Sequence, residues 1–256
     1  MSDVRYIYDG TEDGLFCCLY QALHRRDVPA EILPQEQAGL SLFTEEYILP
    51  DADCAARMRG WLGQRLSPYA LSLVQEGMLC RYDGKERLIL DFVRLALHYG
   101  PRVTGLAGNA TVDTLQKAVL ALHREAHQYL GFVRFSDYDG VLCAVIEPKN
   151  SVLSLIGPHF CDRYPRENFM IYDQTHRQAL LHTPQQTQIV PLQDWQPNAA
   201  GAQEERYRSL WRLFYRTVAI AERENPRCRM SHMQKRYWSQ LTEMQPDAAD
   251  TPSLPA

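Results

Sequence analysis

Apolar residues recur at helical spacing through the first half of the chain. Residues 5–8 predict a short strand, and the turn Asp9-Gly10 follows it. Thr11 comes next, and its hydroxyl can cap a helix that carries Leu15 and Leu19. The same period predicts helices over residues 52–66, 68–80, 86–99 and 111–130. In the last of these, one face is expected to enter the core, and it carries Leu115, Val119, Leu122, Ala126 and Tyr129.

The period changes after Gly131, which ends that helix. Runs at 132–135 and 141–146 flank a polar turn and predict one hairpin, and runs at 169–172 and 179–182 predict a second. Short helices are expected at 152–160 and 234–241, a longer one at 204–222, and a loop at 185–201. The fold class predicted is therefore α+β, mainly helical, with two small antiparallel hairpins in the C-terminal half.

Glycine-rich stretches suggest how the chain divides. Gly100-Pro101 and residues 105–108 are typical of a linker, so we expect a helical N-terminal subdomain at 1–104. An α+β subdomain with a basic C-terminal helix would follow at 105–243. The end of the chain, 244–256, is rich in proline, alanine and aspartate and is expected to be disordered.

The cysteines and the chain start indicate the compartment. Seven cysteines stand at irregular spacings without a C-x-x-C pair, which excludes a regular disulfide framework and common zinc or iron–sulfur motifs. The first residues are charged, and the chain contains no run of about 20 apolar residues. We therefore expect a cytoplasmic protein with no membrane association.

Known cofactor motifs do not occur in the chain. It contains no G-x-G-x-x-G fingerprint, no P-loop, no G-x-S-x-G elbow and no zinc-deaminase signature, so no cofactor is predicted. His123 and His127 share one flank of a helix, but Glu125 points away from them. Capping or core packing is thus favoured for both histidines, and no metal site is predicted.

Positive charge gathers near the C-terminus of a chain whose net charge is −4. Residues 206–238 hold nine Lys and Arg against two Glu. On a helix, one sector carries the basic set Arg208, Arg212, Arg216 and Arg223. A separate sector, expected to face the core, carries Tyr207, Leu210, Trp211, Phe214 and Val218. The arginines would either contact DNA phosphates or pair with the acidic N-terminal part of the chain.

Two further groups of residues could bind DNA. Lys235 and Arg236 stand beside Tyr237 and Trp238, which would either stack on bases or pack in the core. A second cluster comprises Arg134, His159, Arg163, Arg166, Asp173, His176 and Arg177. It could clamp a phosphate, with His159 as an acid–base group assisted by Arg163 and Asp173, or its arginines could form ion pairs that join the hairpins.

Several strings together resemble a known family. They are Y-x-Y-D-G-T-x-x-G-L-F from Tyr6, E-x-H from Glu125, F-x-R-F from Phe132, P-H-F-x-x-R from Pro158, I-Y-D from Ile171, Y-x-x-L-W from Tyr207 and R-Y-W from Arg236. The chain resembles, over about residues 4–243, an uncharacterised bacterial family described as DNA metabolism or DNA repair proteins. Its members are typically encoded beside a radical-SAM protein, and some are fused to a uracil-DNA-glycosylase-like domain.

The resemblance implies a role in DNA repair but carries over no catalytic residue, and the chain lacks glycosylase signatures. We expect an accessory DNA-handling protein that binds DNA and acts with a radical-SAM partner. Charge reversal at Arg212 and Arg216 should then weaken DNA binding. The alternatives are a stand-alone enzyme that acts on a nucleobase or phosphodiester through His159, and a scaffold that binds only protein.

Overall fold

The chain divides into two units, and the boundary lies between His123 and Arg124. The computed structural model describes residues 3–25, 28–106, 108–196 and 201–245. Most of these residues are helical, and two β-sheets are present, which confirms the predicted α+β class. The predicted boundary near residue 104 precedes the division in the structure, which falls inside helix α5 (Ala110–Phe132).

The first unit contains a three-stranded parallel sheet. Strand β1 (Val4–Tyr8) is central, between β2 (Glu31–Pro34) and β3 (Thr44–Tyr47). The sequence pattern predicted only β1. The other two strands are short; one ends in proline and the other reads Thr-Glu-Glu-Tyr, so neither shows the apolar alternation that marks a strand.

Four helices of this unit confirm the predicted ones. They are α1 (Glu12–His24), α2 (Ala52–Arg65), α3 (Pro68–Gly77) and α4 (Lys85–Tyr99). Each of the first three begins at a polar side chain that accepts a hydrogen bond from its first turn, because the leading amides of a helix lack partners. These N-caps are Thr11, Asp51 and Ser67. The predicted apolar face of α5 is buried throughout.

A five-stranded sheet forms the second unit, in the order β4-β5-β6-β7-β8. Its strands are β4 (Ser136–Tyr138), β5 (Val141–Ile146), β6 (Asn168–Asp173), β7 (Gln178–Thr183) and β8 (Gln186–Pro191). Helix α6 (Leu153–Arg163) connects β5 to β6, which are parallel, and all other pairs are antiparallel. The two predicted hairpins are thus parts of one sheet.

Two predictions for this sheet were wrong in detail. The first hairpin strand lies at 136–138 rather than 132–135, because Phe132 completes α5 and packs on Tyr237, with ring centroids 5.0 Å apart. The predicted loop at 185–201 begins with strand β8 instead. This strand lies at the sheet edge and is mostly exposed, so its side chains carry no burial pattern.

The C-terminal part of the second unit is helical. Helix α7 (Ala202–Val218) and the short helix α8 (Pro226–His232) precede a 3₁₀ turn at Lys235–Gln240. The predicted disordered tail lies outside the described residues from position 246 onward. Among the helices described, none combines the length and the apolar character that a bilayer crossing requires.

A buried hydroxyl–carboxylate pair supports the first unit. Tyr8 of β1 donates to Glu86 of α4, with 3.1 Å between the oxygen atoms. Burial raises the pKa of Glu86 above its usual range, although the hydrogen bond from Tyr8 partly offsets that effect. The hydroxyl therefore stabilises a carboxylate that water cannot reach.

Replacing Tyr8 with Phe should lower the free energy of unfolding by about 1–3 kcal/mol, because Glu86 would lose its donor inside the fold. Urea denaturation near neutral pH would measure the change. Tyr47→Phe is the matched control: Tyr47 also donates to a glutamate, Glu45, but it is exposed, so little loss is expected. Equal losses in the two variants would contradict this account of Glu86.

Candidate nucleic-acid interface

In helix α7, the apolar sector that was predicted to face the core is exposed. Arg212 is only 5% exposed, and Arg208 is half-buried, so this part of the arginine sector faces the protein. The outer face of α7 consists of Tyr207, Leu210, Trp211, Leu213, Phe214 and Val218, which are 41–60% exposed. The prediction that the apolar sector faces the core is therefore wrong.

Carboxylates of the same helix account for the position of Arg208. Its Nε donates to Glu204 at 2.8 Å, one Nη donates to Glu205 at 3.3 Å, and the other donates to Ser136 Oγ at 2.7 Å. Burial raises the pKa of Glu204, but the hydrogen bonds from Arg208, the Asp137 amide and Ser136, together with the charge of Arg208, outweigh it, so the pKa lies below its usual range. Every nitrogen of this guanidinium group is thus engaged by protein.

Arg134 is held in the same way by Glu243. Two of its nitrogens donate to the carboxylate, the closer at 2.7 Å, and the third donates to Gly131 O at 2.8 Å. Trp211 Nε1 also donates to Glu243, at 2.9 Å. Burial raises the pKa of Glu243, but the bonds from Arg134 and Trp211 more than offset it, so the carboxylate keeps a lowered pKa.

A cavity of about 460 Å³ adjoins these pairs. Its lining includes Arg134, Arg208 and Arg212, with Tyr138, Trp195 and Thr242 beside them. Although three guanidinium groups meet here, Arg134 and Arg208 are neutralised by Glu243, Glu204 and Glu205. The cavity is therefore a poor phosphate site, and this part of the arginine sector is architectural.

Two more of the predicted residues, Arg236 and Tyr237, are engaged inside the protein. The Glu125 carboxylate accepts from Arg236 Nη1 at 2.8 Å and from the backbone amides of Lys149 and Asn150. Tyr237 is 2% exposed, donates to Gln128 and packs edge-on against Tyr129. Tyr237 thus lies in the core and has no face open for stacking on a base.

Two cations, Arg229 and Lys235, lie near the ring of Trp238. The basic segment, residues 225–238, comprises α8 and the start of the following 3₁₀ turn, and it contains no Asp or Glu. The Arg229 guanidinium carbon lies 5.7 Å from the Trp238 ring centroid, and Lys235 Nζ lies 6.0 Å from it. Trp238 Nε1 donates to Met233 O at 3.0 Å, which fixes the ring. Arg227 and Lys235 are exposed.

A groove of about 660 Å³ runs beside the basic segment. The residues that line it include Tyr215, Arg216, Ile220, Arg223, Glu224 and Arg229. The structure therefore brings Arg216 and Arg223 of the predicted set together with Arg229, which the helical-sector argument missed. Arg227 and Arg229 had contributed to the local charge count, and that count was the only sequence signal for them.

Among the described residues, no hydrogen bond or ion pair joins His159 to Arg163 or Asp173, the residues predicted to assist it. His159 is exposed and contacts the Phe160 ring, and Arg163 lies beside Tyr164. Asp173 is buried and accepts from the amide and Nδ1 of His176, the latter at 2.7 Å.

The other predicted cations of that cluster have different partners, or none in the part of the chain that the structure describes. Arg177 donates to Gln193, and Arg166 is exposed. His123 contacts Glu76 at 2.8 Å, and the described residues contain no group of three or more metal-binding side chains.

Comparison with known families places most of these features in one domain. A family described as a domain of unknown function, DUF4130, matches residues 83–243, which is more than half of the chain. The chain belongs to the DUF4130 family. No protein with a curated functional description matches it.

The DUF4130 region begins just before α4 and ends at Glu243. It includes the pair Arg134–Glu243, the outer face of α7 and the basic segment, whereas the parallel sheet and helices α1 to α3 precede it. The cations described above are therefore parts of the family domain.

Glu243→Ala should lower the free energy of unfolding by about 3 kcal/mol near neutral pH, because it leaves Arg134 and Trp211 without their shared acceptor. The folded-state pKa of Glu243 is lowered, so its contribution is present above the unfolded pKa of about 4.3 and is lost as the pH falls through the folded value. Thermal melts at neutral and strongly acidic pH would show the difference shrinking with acid.

Glu205→Ala is the control for this variant. Glu205 also pairs with an arginine, Arg208, but its side chain is 46% exposed, so the loss should stay below about 1 kcal/mol. A loss from Glu243→Ala no larger than that of the control would contradict the structural role assigned to Glu243.

Proposed function

We propose that the protein is an accessory DNA-handling protein that contacts DNA through the basic segment and the adjoining groove. The observation that carries the proposal is the basic segment, which holds four Lys and Arg residues and no Asp or Glu in a chain of net charge −4; of the four, Arg236 pairs with Glu125. Arg227 and Lys235 of this segment are exposed. Exposed cations that gather on one surface attract a polyanion.

Trp238 supports a contact with unpaired bases. It is partly exposed, and Arg229 and Lys235 lie 5.7 and 6.0 Å from its ring centroid, so a base that stacks near the ring would have two cations close by for the flanking phosphates. Arg216 and Arg223 line the groove that continues from this site. Single-stranded DNA, or a locally opened duplex, is the form of DNA that this arrangement favours.

The proposed role in repair and the radical-SAM partner rest on the resemblance between this chain and bacterial DNA repair proteins encoded beside radical-SAM proteins. In this proposal, the partner performs the redox chemistry and this chain holds the DNA. Co-purification of the neighbouring radical-SAM protein with the tagged full-length chain would test the partnership. Separate elution of the two proteins at low and moderate salt would argue against it.

A protein-only scaffold is the second candidate. It is favoured by the outer face of α7, which is apolar and exposed, and by the internal pairing of Arg134, Arg208 and Arg236. A scaffold would show no DNA affinity at physiological salt. The stand-alone enzyme that acts through His159 has less support, because Asp173 is engaged by His176 instead.

The double variant Arg227→Glu/Arg229→Glu should weaken DNA binding at least tenfold, since it reverses two cations of the basic segment. Fluorescence anisotropy with labelled single- and double-stranded oligonucleotides, at about 50 and 200 mM salt, would measure the affinities and the salt slope. The wild type should bind more weakly at the higher salt, and the variant should have a shallower slope.

Arg57→Glu/Arg94→Glu is the matched control, because it makes the same change in net charge at exposed arginines of α2 and α4. It should leave the affinity near the wild-type value. Arg212 is unsuitable for such a test, since its burial means that charge reversal would disturb folding. Equal DNA affinity in the wild type and the basic-segment variant would remove the proposed DNA site.

A further inference from the structure

The outer face of α7 is a large apolar surface on a single helix. Its six side chains are each 41–60% exposed, and their exposed part amounts to roughly 600 Å². A patch of this size reaches the upper end of what monomers expose, about 300–600 Å². It approaches the roughly 800 Å² that each partner contributes to a standard interface. Ile220, also exposed, extends it beyond the helix end.

The spacing within this face is that of a helix–helix seam. Tyr207, Leu210, Trp211, Phe214 and Val218 recur every three or four residues over almost the whole helix. The opposite side of α7 packs on its own unit through polar side chains, Arg208 and Arg212 among them. The helix therefore buries little apolar surface within the chain. The spacing of its exposed apolar residues would allow a second helix to pack along them.

We infer that this face pairs with the same face of a second copy of the chain, in an antiparallel arrangement about a twofold axis. Such a pair would set Tyr207 of one copy opposite Val218 of the other, and Trp211 opposite Phe214, so these four residues meet others of the same seam, while Leu210 lies near Tyr215. The two ends and the middle of the seam are therefore complementary to themselves.

Charge favours the antiparallel direction. The first turn of α7 carries Glu204 and Glu205, and the last turn carries Arg216. Glu204 and Glu205 are paired with Arg208 of their own helix, so the direction is set by the two helix dipoles, which oppose each other in an antiparallel pair. A parallel pair would align the two dipoles, which is less favourable. The inference does not rest on the proposed DNA contact, although Val218 and Ile220 belong to this face and also line the groove beside the basic segment.

Sedimentation velocity on the full-length chain without DNA, from low to high micromolar concentration, tests the inference. The wild type should sediment as a species of twice the 29.5 kDa chain mass. Leu210→Glu/Phe214→Glu should sediment as a monomer, because two buried carboxylates at the seam would oppose pairing. Circular dichroism would verify that the helix content is retained.

The control Leu49→Glu/Leu120→Glu makes the same change in charge at exposed leucines elsewhere and should remain dimeric. If the glutamate variant at the seam loses helix content, Leu210→Ser/Leu213→Ser provides a milder test, with an expected dissociation constant at least tenfold above the wild-type value. A wild-type monomer at high micromolar concentration would overturn the inference, even if the face then bound a different protein. A dimer that survives both seam variants would overturn it as well.

Discussion

The carboxylate of Glu125 is the interaction on which the second unit most depends. It is 3% exposed and accepts from the amides of Lys149 and Asn150, from the Asn150 side chain and from Arg236. A buried charge is tolerated only when it is neutralised and hydrogen-bonded, and Arg236 with these amides meets both needs. One side chain thereby joins helix α5, the loop after β5 and the C-terminal segment, and it leaves Tyr237 seated among Tyr129 and Phe132.

The same principle explains why Arg208 of α7 packs on the protein. An arginine buried without a partner is costly, whereas one matched to carboxylates and a hydroxyl is stable. Arg208 meets Glu204, Glu205 and Ser136, and Arg134 meets Glu243. The polar side of α7 therefore packs on the unit, and its apolar side is left exposed. Cations that are not engaged in this way lie farther along the chain, around Trp238.

The sequence predicted local structure well where periodicity was strong. The helices α2 to α5 and the buried face of α5 were correct, because apolar spacing along a helix reports burial directly. The polar strands β3 and β8 were missed, since backbone pairing holds them and their side chains carry little signal. Helix α7 is amphipathic, as predicted. The pattern alone does not show which side packs on the protein, because carboxylates can stabilise the arginine side there. Arg134 and Glu243 are 109 residues apart, and nothing in local spacing connects them.

Helix α7 has 17 residues, and the basic segment begins shortly after its C-terminal end. A helix of that length spans about 25 Å. In a twofold antiparallel pair, the two basic segments would therefore project from opposite ends of one short rod. A nucleic acid strand long enough to touch both would bind the second segment as an intramolecular step, so its apparent affinity would rise steeply with strand length while each individual contact stayed weak.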